Sequence, residues 1–529
     1  MRAGSVSLQS NAYSPSIPAP NLSPGRGTRR LVRLLLPATV LLFIANTLWR
    51  IIALPFWGDE VRTWRDSVNK PYAQILTWQH NKDHAPLGHL LAKISSDLFH
   101  TDAAWAMRLP SFLFGVACVP LAYCVGRATW NRRLGWMLAL LVATDITVAS
   151  QAQMARMYTM FLAFTLAAMY FVVSAMRWPQ NLRGRLLQAL AIGLTLGGAL
   201  WSHYAAMTLI VAMSIVGIAM LFAARCRAAG AAILGGVGIA LLLSIQGLQK
   251  LASMADREKL PYDKTRDTLG QILFAGKDAA GNRVLFVLFL IGCVIGLIIL
   301  MRRRFWPGLL LTLTIVLGLA NLLIASRYRQ IEGARYLIGL LPAIWIGLST
   351  LVLHLMHDRR RWLARTAAAL FVAGLLFAFS RCVRPPQHPQ AAPLVHAART
   401  LPTLGYRPGD LIFFAPEEPY AFYASYYGLN AVDWVQDAIG NAFATKSPNG
   451  KTLGRRLPPV LWVLVVAPCR PNERGTPADG LGLTQTAARC YGKQLQGKRL
   501  PEEWRKRRLS IVRLTEKSID VWTDDGKPR

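Results

Sequence analysis

Residues 31–64 read LVRLLLPATVLLFIANTLWRIIALPFWGDEVRTW, a long apolar run that ends in two adjacent acids. A transmembrane helix needs about 20 consecutive, mostly apolar residues, and residues 31–54 meet that length. Asp59 and Glu60 come shortly after the run, between Trp57 and Trp64. The stretch therefore predicts a membrane helix whose end carries paired carboxylates at the membrane surface, a level at which Trp side chains are common.

Further apolar runs of similar length follow the first one. They lie near residues 109–128, 134–150, 157–176, 186–202, 204–224, 229–248, 283–301, 308–326, 336–355 and 362–380. The sequence thus predicts a polytopic α-helical membrane protein with about 11 transmembrane helices.

The formal net charge of +33 is distributed in a way that argues against a nucleic-acid partner. Arginine clusters recur in every second loop, as positive charge does in cytoplasmic loops of membrane proteins. We therefore expect a cytoplasmic N-terminus and contact between these loops and membrane lipids. With an odd number of helices, the chain beyond the last helix is predicted to lie outside. The clusters are Arg26, Arg29 and Arg30; Arg127, Arg132 and Arg133; Arg177, Arg183 and Arg185; Arg225 and Arg227; Arg302, Arg303 and Arg304; and Arg359, Arg360 and Arg361.

The chain divides into three regions by composition. Residues 1–30 are rich in Ser, Pro and Asn and predict a disordered cytoplasmic tail. Residues 31–380 form the predicted membrane domain. Residues 381–529 begin with a proline-rich linker and contain three short apolar runs, DLIFFAP, PPVLWVLVVAP and RRLSIVRLTE, which predict strands of a soluble extracytoplasmic α/β domain.

Two cysteines, Cys469 and Cys490, lie in this predicted external domain. An oxidising compartment favours pairing of such residues, so we expect a disulfide between them.

Six segments resemble, in order, motifs of the GT-C glycosyltransferases of the protein O-mannosyltransferase superfamily. That group, glycosyltransferase family 39 and its relatives, includes bacterial transferases of aminoarabinose and galacturonic acid. The resemblance covers about residues 31–380 and is carried by GDEVRTW (58–64), NKDHAPLGHLLAKI (81–94), RLPSFLFGVACVPLAY (108–123), ASQAQMARMYTMFLAF (149–164), SHYAAM (202–207) and ARYLIGLLPAIW (334–345).

The resemblance implies a GT-C fold and a membrane glycosyltransferase. Such an enzyme moves a sugar from a polyprenyl-phosphate donor to a hydroxyl of a lipid, glycan or protein acceptor, with inversion at the anomeric carbon. It also implies a multi-pass protein of the bacterial cytoplasmic membrane with its active site on the extracytoplasmic side. The alternatives are a transporter or flippase of lipid-linked sugars and a non-catalytic scaffold. Ionisable residues in transporters usually lie within the spans, whereas here the acids lie near span ends.

The resemblance also implies roles for individual residues. Asp59 matches the catalytic acid, and Glu60 beside it is a second catalytic candidate. The predicted donor-phosphate residues are Lys82, His84, Arg156 and Arg335, and the predicted substrate-pocket residues are Arg62, Asp83, Tyr158, His203 and Tyr336. One departure is Ala85, which stands where the family usually has the first of two prolines.

Paired carboxylates can also bind a divalent metal ion. The mannosyltransferase branch of the resemblance generally uses none, so we expect no essential metal and no other cofactor.

Overall fold

The computed structural model describes, in the helical part, residues 26–53, 56, 58–68, 70–77, 85–177, 181–249, 268–328, 334–357 and 360–383, and, in the C-terminal part, residues 411–415, 460–466, 509–515 and 519–523. The predictions for the tail before residue 26 and for Trp57, Lys82, Asp83, His84, Cys469 and Cys490 lie outside the described residues.

The described helical part consists mainly of long apolar helices, with smaller helices after the first. In chain order these are α1 (Arg26–Ala53), α2 (Gly58–Ser67), α3 (Tyr72–Leu76), α4 (Pro86–Leu98), α5 (Ala104–Thr129), α6 (Arg132–Thr144), α7 (Ile146–Ala152), α8 (Tyr158–Arg177), α9 (Leu182–Ser202), α10 (Ala206–Phe222), α11 (Arg227–Leu243), α12 (Thr268–Ala280), α13 (Arg283–Arg303), α14 (Phe305–Tyr328), α15 (Leu341–Met356) and α16 (Arg361–Val383), with a 3₁₀ turn at Ala334–Leu337 before α15.

All of the predicted apolar runs are helical over most of their length. Among the described helices, α1, α5, α8, α13, α14 and α16 are long and apolar enough to cross a membrane, and α6 with α7 forms a seventh candidate span that is bent by 57°. Helices α10, α11 and α15 are apolar but shorter. The chain is therefore a polytopic helical membrane protein.

Polar side chains fix where several helices begin. Asn131, Asn181 and Asn282 each accept a backbone N–H at the start of α6, α9 and α13. Asp145 caps α7 by accepting two backbone N–H groups at 2.7 and 3.1 Å. Because such a cap satisfies N–H groups that a helix start leaves unpaired, a new helix begins after Asp145, which accounts for the bend between α6 and α7.

The bundle has a buried centre and an exposed edge. In α8, 72% of an 18-residue apolar stretch is buried inside the protein, whereas in α16 only 6% of such a stretch is buried. Helices α13 and α15 approach closely at Gly296, where a Cβ atom would collide with the carbonyl oxygen of Gly347. Small residues allow such approaches between helices in membranes, where helix association depends on packing.

The connection between α1 and α5 contains the shorter helices α2, α3 and α4. Pro71 precedes α3, and Pro86 is the first residue of α4. Ile94, Leu98 and Phe99 are exposed near the end of α4, as expected for a helix lying at a membrane surface.

The membrane domain extends beyond its predicted bounds at both ends. Helix α1 begins at Arg26, inside the segment predicted as a disordered tail, and α16 ends at Val383. Once a helix has formed, each added residue costs little, and Arg is a good helix former, so α1 continues through the basic residues that precede the apolar run. The prediction of disorder is therefore wrong for residues 26–30.

Four strands of the C-terminal part form one sheet in the order β1 (Leu411–Ala415), β2 (Val460–Val466), β3 (Leu509–Thr515) and β4 (Ile519–Thr523). Strands β1 and β2 are parallel, and the other neighbouring pairs are antiparallel. The three predicted strands are confirmed, while β4 was not predicted.

Candidate active site

Asp59 lies in the first turn of α2, shortly after the end of α1. Its side chain is 21% exposed and faces two arginines. Arg335 donates a hydrogen bond of 2.6 Å from Nη1 to Oδ2, and Nη2 of Arg156 lies 3.7 Å from the same oxygen. A carboxylate in the first turn is also favoured by the helix dipole. The structure thus brings together three residues that the sequence placed in the site.

Arg156 is held in place on several sides. Its side chain is 4% exposed, and Nη1 donates to the backbone oxygen of Asp59 at 3.3 Å. The hydroxyl of Ser111, in α5, donates to the Arg156 carbonyl at 2.7 Å. Thr159, in α8, donates in turn to the Ser111 carbonyl at 2.7 Å. The start of α8 is therefore tied to α5, which fixes the point from which Arg156 reaches Asp59.

Glu60 occupies a different environment from Asp59. Its side chain is 1% exposed, and both carboxylate oxygens accept hydrogen bonds from Arg108, at 2.7 and 2.6 Å. The backbone N–H of Ala155 also donates to Glu60, at 2.7 Å. Because Ala155 precedes Arg156 and Asp59 precedes Glu60, this contact aligns the two segments that carry the Asp59–Arg156 pair.

Arg108, which opens the motif RLPSFLFGVACVPLAY in α5, was not among the predicted site residues. It is 1% exposed, donates to the Ile51 carbonyl at 3.1 Å and lies over the Phe56 ring at 5.4 Å. Buried charges require pairing, and Arg108 finds it in Glu60. The sequence signal that could have revealed it is its position, since Arg108, Arg156 and Arg335 all stand near the start of an apolar run.

The rings of Tyr158 and Phe161 enclose His203, with ring centroids 5.6 and 5.4 Å away. Its Nδ1 accepts the backbone N–H of Ala205 at 3.0 Å, so the ring proton is on Nε2. Burial lowers the pKa of His203 to about 4, and the charge of Arg156 acts in the same direction. His203 is therefore a neutral hydrogen-bond donor near pH 7.

The predicted residues Tyr158 and Tyr336 lie beside the two arginines that contact Asp59. The guanidinium carbon of Arg335 is 5.4 Å from the Tyr336 ring centroid, and that of Arg156 is 6.0 Å from the Tyr158 centroid. At these distances a cation is attracted by the ring face, so the two tyrosines help to hold the two arginines.

Arg62, in contrast, is exposed on α2, and no ion pair joins it to another described residue. The remaining predicted site residues, Lys82, Asp83 and His84, precede Ala85 and lie outside the described residues.

Two cavities border Arg335 and a third adjoins one of them, and we name the three by their linings. The polar cavity, of about 480 Å³, contains Arg335, Arg381, Asp278 and Ser150. Nη1 and Nη2 of Arg381 donate to the carbonyls of Ala279 and Asp278, so its charge is fixed at the end of α12. Burial raises the pKa of Asp278, against the lowering effect of Lys277 and Arg381.

The apolar cavity, of about 310 Å³, shares Ile146 and Arg381 with the polar cavity. Its other walls are mostly apolar side chains of α13, α15 and α16, such as Leu348 and Phe371. An apolar space therefore lies next to a basic, polar one, with Ile146 and Arg381 at their common border.

The side cavity, of about 330 Å³, lies on another side of Arg335, which it shares with the polar cavity. His203 and Tyr336 line its end near Asp59, and Thr165 and Asn321 line it further along α8 and α14. Arg335 thus stands between two separate spaces.

No three His, Cys, Asp or Glu side chains gather as a metal site within the described residues. The cations that face the Asp59 carboxylate there are those of Arg156 and Arg335.

Residues 85–246 match the sequence model of the family described as dolichyl-phosphate-mannose-protein mannosyltransferase. The chain is also similar in structure to ArnT from Cupriavidus metallidurans bound to undecaprenyl phosphate, with a TM-score of 0.54 and 12% identity over 83% of this chain and 93% of that one. The chain has the GT-C fold.

The fold of the apo state of the same ArnT matches with a TM-score of 0.53. The oligosaccharyltransferase of Archaeoglobus fulgidus matches with a TM-score of 0.49 and 12% identity over 82% of this chain and 68% of that chain. No curated protein sequence is significantly similar to the chain. The family match and the fold support a membrane glycosyltransferase.

Proposed function

We propose that this GT-C protein transfers a sugar from a polyprenyl-phosphate carrier to an acceptor hydroxyl, with Asp59 as the general base. The observation that carries the proposal is the Asp59 carboxylate in contact with Arg156 and Arg335, because Arg335 lines a polar cavity that adjoins an apolar one at Ile146 and Arg381. A lipid-linked phosphate needs these two environments next to each other, cations for the phosphate and an apolar space for the chain.

The charge of the cluster suits an anionic donor. Asp59 and Glu60 contribute two negative charges, and Arg108, Arg156 and Arg335 contribute three positive ones, which leaves one positive charge. A sugar phosphodiester carries one negative charge. Guanidinium groups bind phosphate oxygens through paired hydrogen bonds, so a donor phosphate can replace the Asp59 carboxylate as the partner of Arg335.

This exchange prepares Asp59 for its role in the reaction. The acceptor oxygen attacks the anomeric carbon from the face opposite the phosphate, and its proton passes to Asp59. The bond between the anomeric carbon and the phosphate oxygen breaks, and its electron pair leaves with polyprenyl phosphate. Arg335 and Arg156 stabilise the charge on that leaving group. Attack from the opposite face gives inversion.

Asp59 is a better candidate for the base than Glu60. A general base must come within hydrogen-bond reach of the proton that it removes. The Asp59 side chain is 21% exposed and contacts Arg335, which lines the polar cavity, whereas both oxygens of Glu60 are occupied and its side chain is 1% exposed. We therefore assign Glu60, together with Arg108, the role of positioning Asp59 and Arg156.

The reaction as proposed needs no metal ion. In metal-dependent transfer a divalent cation neutralises the leaving phosphate, and here Arg156 and Arg335 provide that charge. Sugar transfer by purified protein should therefore survive treatment with EDTA. Loss of transfer in EDTA that Mg²⁺ or Mn²⁺ restores would contradict this part of the proposal.

We further propose that the Asp59 end of the bundle and the C-terminal domain face the extracytoplasmic side of a bacterial cytoplasmic membrane. Basic side chains gather at the opposite end, where Arg177 bonds the carbonyls of Arg127 and Ala128, and Arg303 lies over Trp130. Such charge is typical of the cytoplasmic side. A reporter that works only in the cytoplasm can be fused to the C-terminus. Activity of that reporter would contradict this orientation.

The experiment that tests the function compares wild-type protein with Asp59→Asn in liposomes that contain a polyprenyl-phosphate sugar. A glycosyltransferase loses sugar transfer in the variant but still binds the donor. A flippase would move the lipid across the bilayer in both proteins, and a scaffold would show no activity that depends on Asp59.

A further inference from the structure

The side cavity extends from the site into the membrane. Asn321 lies seven residues before the end of α14 at Tyr328, and Thr165 lies seven residues after the start of α8 at Tyr158. At 1.5 Å per residue, both are about 10 Å below the helix ends that carry the site. Both helices are long and apolar enough to span a membrane, so this part of the cavity lies at the depth of lipid chains.

Polar groups line the cavity at this depth. Asn321 has an exposed side chain, and the Thr165 hydroxyl, on a residue that is 1% exposed, has no hydrogen-bond partner in the described part of the chain. By comparison, Thr314 in the same cavity donates back to the Leu310 carbonyl at 2.9 Å. A polar group within a span is costly unless it is hydrogen-bonded, and polar residues kept there often mark a ligand site or a pathway. Asn321 and Thr165 therefore indicate a ligand with polar groups at membrane depth.

The end of the side cavity near Asp59 is also lined by polar groups. His203 offers an N–H donor from Nε2, and Arg335 is the one charged residue among the described residues that line the cavity. This end suits a polar group that is neutral or anionic and that reaches Asp59 past Arg335.

We infer that the side cavity binds the acceptor, and that the acceptor is a membrane lipid carrying a hydroxyl group. The inference rests on the proposed function. The apolar cavity already provides a space for the chain of the donor, and the side cavity lies on another side of Arg335. A protein acceptor would approach from water and would need no second cavity within the spans, whereas a lipid acceptor does.

A matched pair of substitutions on α14 tests the assignment. Ala325→Trp places an indole in the side cavity, and Ile324→Trp places the same group at the next residue, which is 62% exposed and does not line the cavity. Source cells that lack the protein are complemented with wild-type, Ala325→Trp or Ile324→Trp chains. Sugar-modified species are then measured by mass spectrometry in the lipid extract and in the protein fraction. Binding of undecaprenyl phosphate is measured on each purified protein in nanodiscs.

We expect a sugar-modified lipid that depends on the wild-type chain, at least a tenfold decrease with Ala325→Trp and full restoration with Ile324→Trp. Undecaprenyl phosphate binding by Ala325→Trp should stay within twofold of wild type. If Ala325→Trp does not fold, Asn321→Leu, which keeps the side-chain size, should decrease the lipid product at least threefold.

Three results would overturn the inference. Sugar that appears on protein and not on lipid would make the acceptor a protein and leave the glycosyltransferase proposal intact. Loss of undecaprenyl phosphate binding in Ala325→Trp would assign the cavity to the donor. A sugar content that is unchanged in both fractions when the wild-type chain is absent would overturn the proposed function itself.

Discussion

Arg335 lies 276 residues beyond Asp59 in the chain, and its Nη1 donates a hydrogen bond of 2.6 Å to the Asp59 carboxylate. The carboxylate stands where a second anion, the donor phosphate, can take its place. A charge-assisted bond of this kind is stronger than a neutral one, so donor binding must supply a comparable partner for Arg335. Under the proposed function, the pair would couple binding of the donor phosphate to release of the Asp59 carboxylate from Arg335.

Replacing Asp59 should abolish the chemistry and keep the fold. General-base catalysis contributes about 10²- to 10⁴-fold, so Asp59→Asn should decrease kcat by about that factor, while donor binding persists. Turnover is measured on purified protein with saturating donor. Asp66→Asn, at the other end of α2, is the matched control and should keep wild-type turnover. An Asp59→Asn enzyme with near wild-type kcat would refute the assignment.

Replacing Arg335 should weaken donor binding. Removing one partner of a buried charge pair costs about 2–5 kcal/mol, which corresponds to at least about a 30-fold rise in the Kd for the donor lipid. Arg335→Ala is compared with Arg65→Ala, which removes an exposed arginine of α2 that pairs with Asp66. Binding is measured by titration in nanodiscs. An unchanged Kd and kcat in Arg335→Ala would remove Arg335 from the site.

Replacing Glu60 should mainly lower the stability of the fold, because Glu60 is assigned a positioning role and not a role in proton transfer. Breaking a buried ion pair costs about 3–5 kcal/mol because an uncompensated charge remains, so Glu60→Ala should markedly lower the thermal unfolding temperature. Replacing Glu60 and Arg108 together with apolar residues should recover part of this loss. Stable Glu60→Ala protein with kcat as low as in Asp59→Asn would instead make Glu60 a chemical participant.

His203 should make the protein sensitive to acid. Its pKa is lowered to about 4 by burial, while the unfolded chain has the ordinary value of about 6.5. Between these values the unfolded state binds more protons, so stability falls as the pH falls from about 6.5 to 4, by at most about 3 kcal/mol. Unfolding temperatures across this range should drop less in His203→Asn than in wild type. Parallel curves for the two proteins would contradict the prediction.

Cys469 and Cys490 should form a disulfide if the C-terminal domain is external. Closing a loop of 21 residues stabilises a domain by about 3 kcal/mol in the chain-entropy model. Thiol labelling of denatured, unreduced protein should find both cysteines protected, and reduction should expose them. Two reactive thiols without reduction would exclude the bond.

The sequence predicted the helices well because long apolar runs have few alternatives in a membrane. It also predicted that Asp59, Arg156 and Arg335 share one end of the bundle, since each stands at the end or start of an apolar run on the same side. The strand Ile519–Thr523 was missed because a five-residue segment with Asp520 in its middle gives a weak signal, although Ile519, Asp520 and Val521 do alternate as strand residues should.

The different surroundings of Asp59 and Glu60 could not be predicted from the sequence. Successive residues on a helix point about 100° apart, so one of two adjacent acids can be partly exposed beside Arg335 while the other points into the protein interior. Which one does so depends on where Arg108 and Ala155 lie, and that is settled by packing between α2, α5 and the start of α8. The roles of Asn321 and Thr165 were hidden for a similar reason, because only packing shows which side of a span borders a cavity.

The contact between Asp59 and Arg335 has a consequence for how the protein is made. Asp59 emerges from the ribosome early, and the turn at Ala334–Leu337 that carries Arg335 follows only after most of the spans have been synthesised. Until then Asp59 has Arg156 beside it but not Arg335, and the polar cavity and the side cavity both lack the cation that Arg335 supplies. Under the proposed function, a nascent or truncated chain that ends before Ala334 should therefore be inert and should leave the carrier lipid intact.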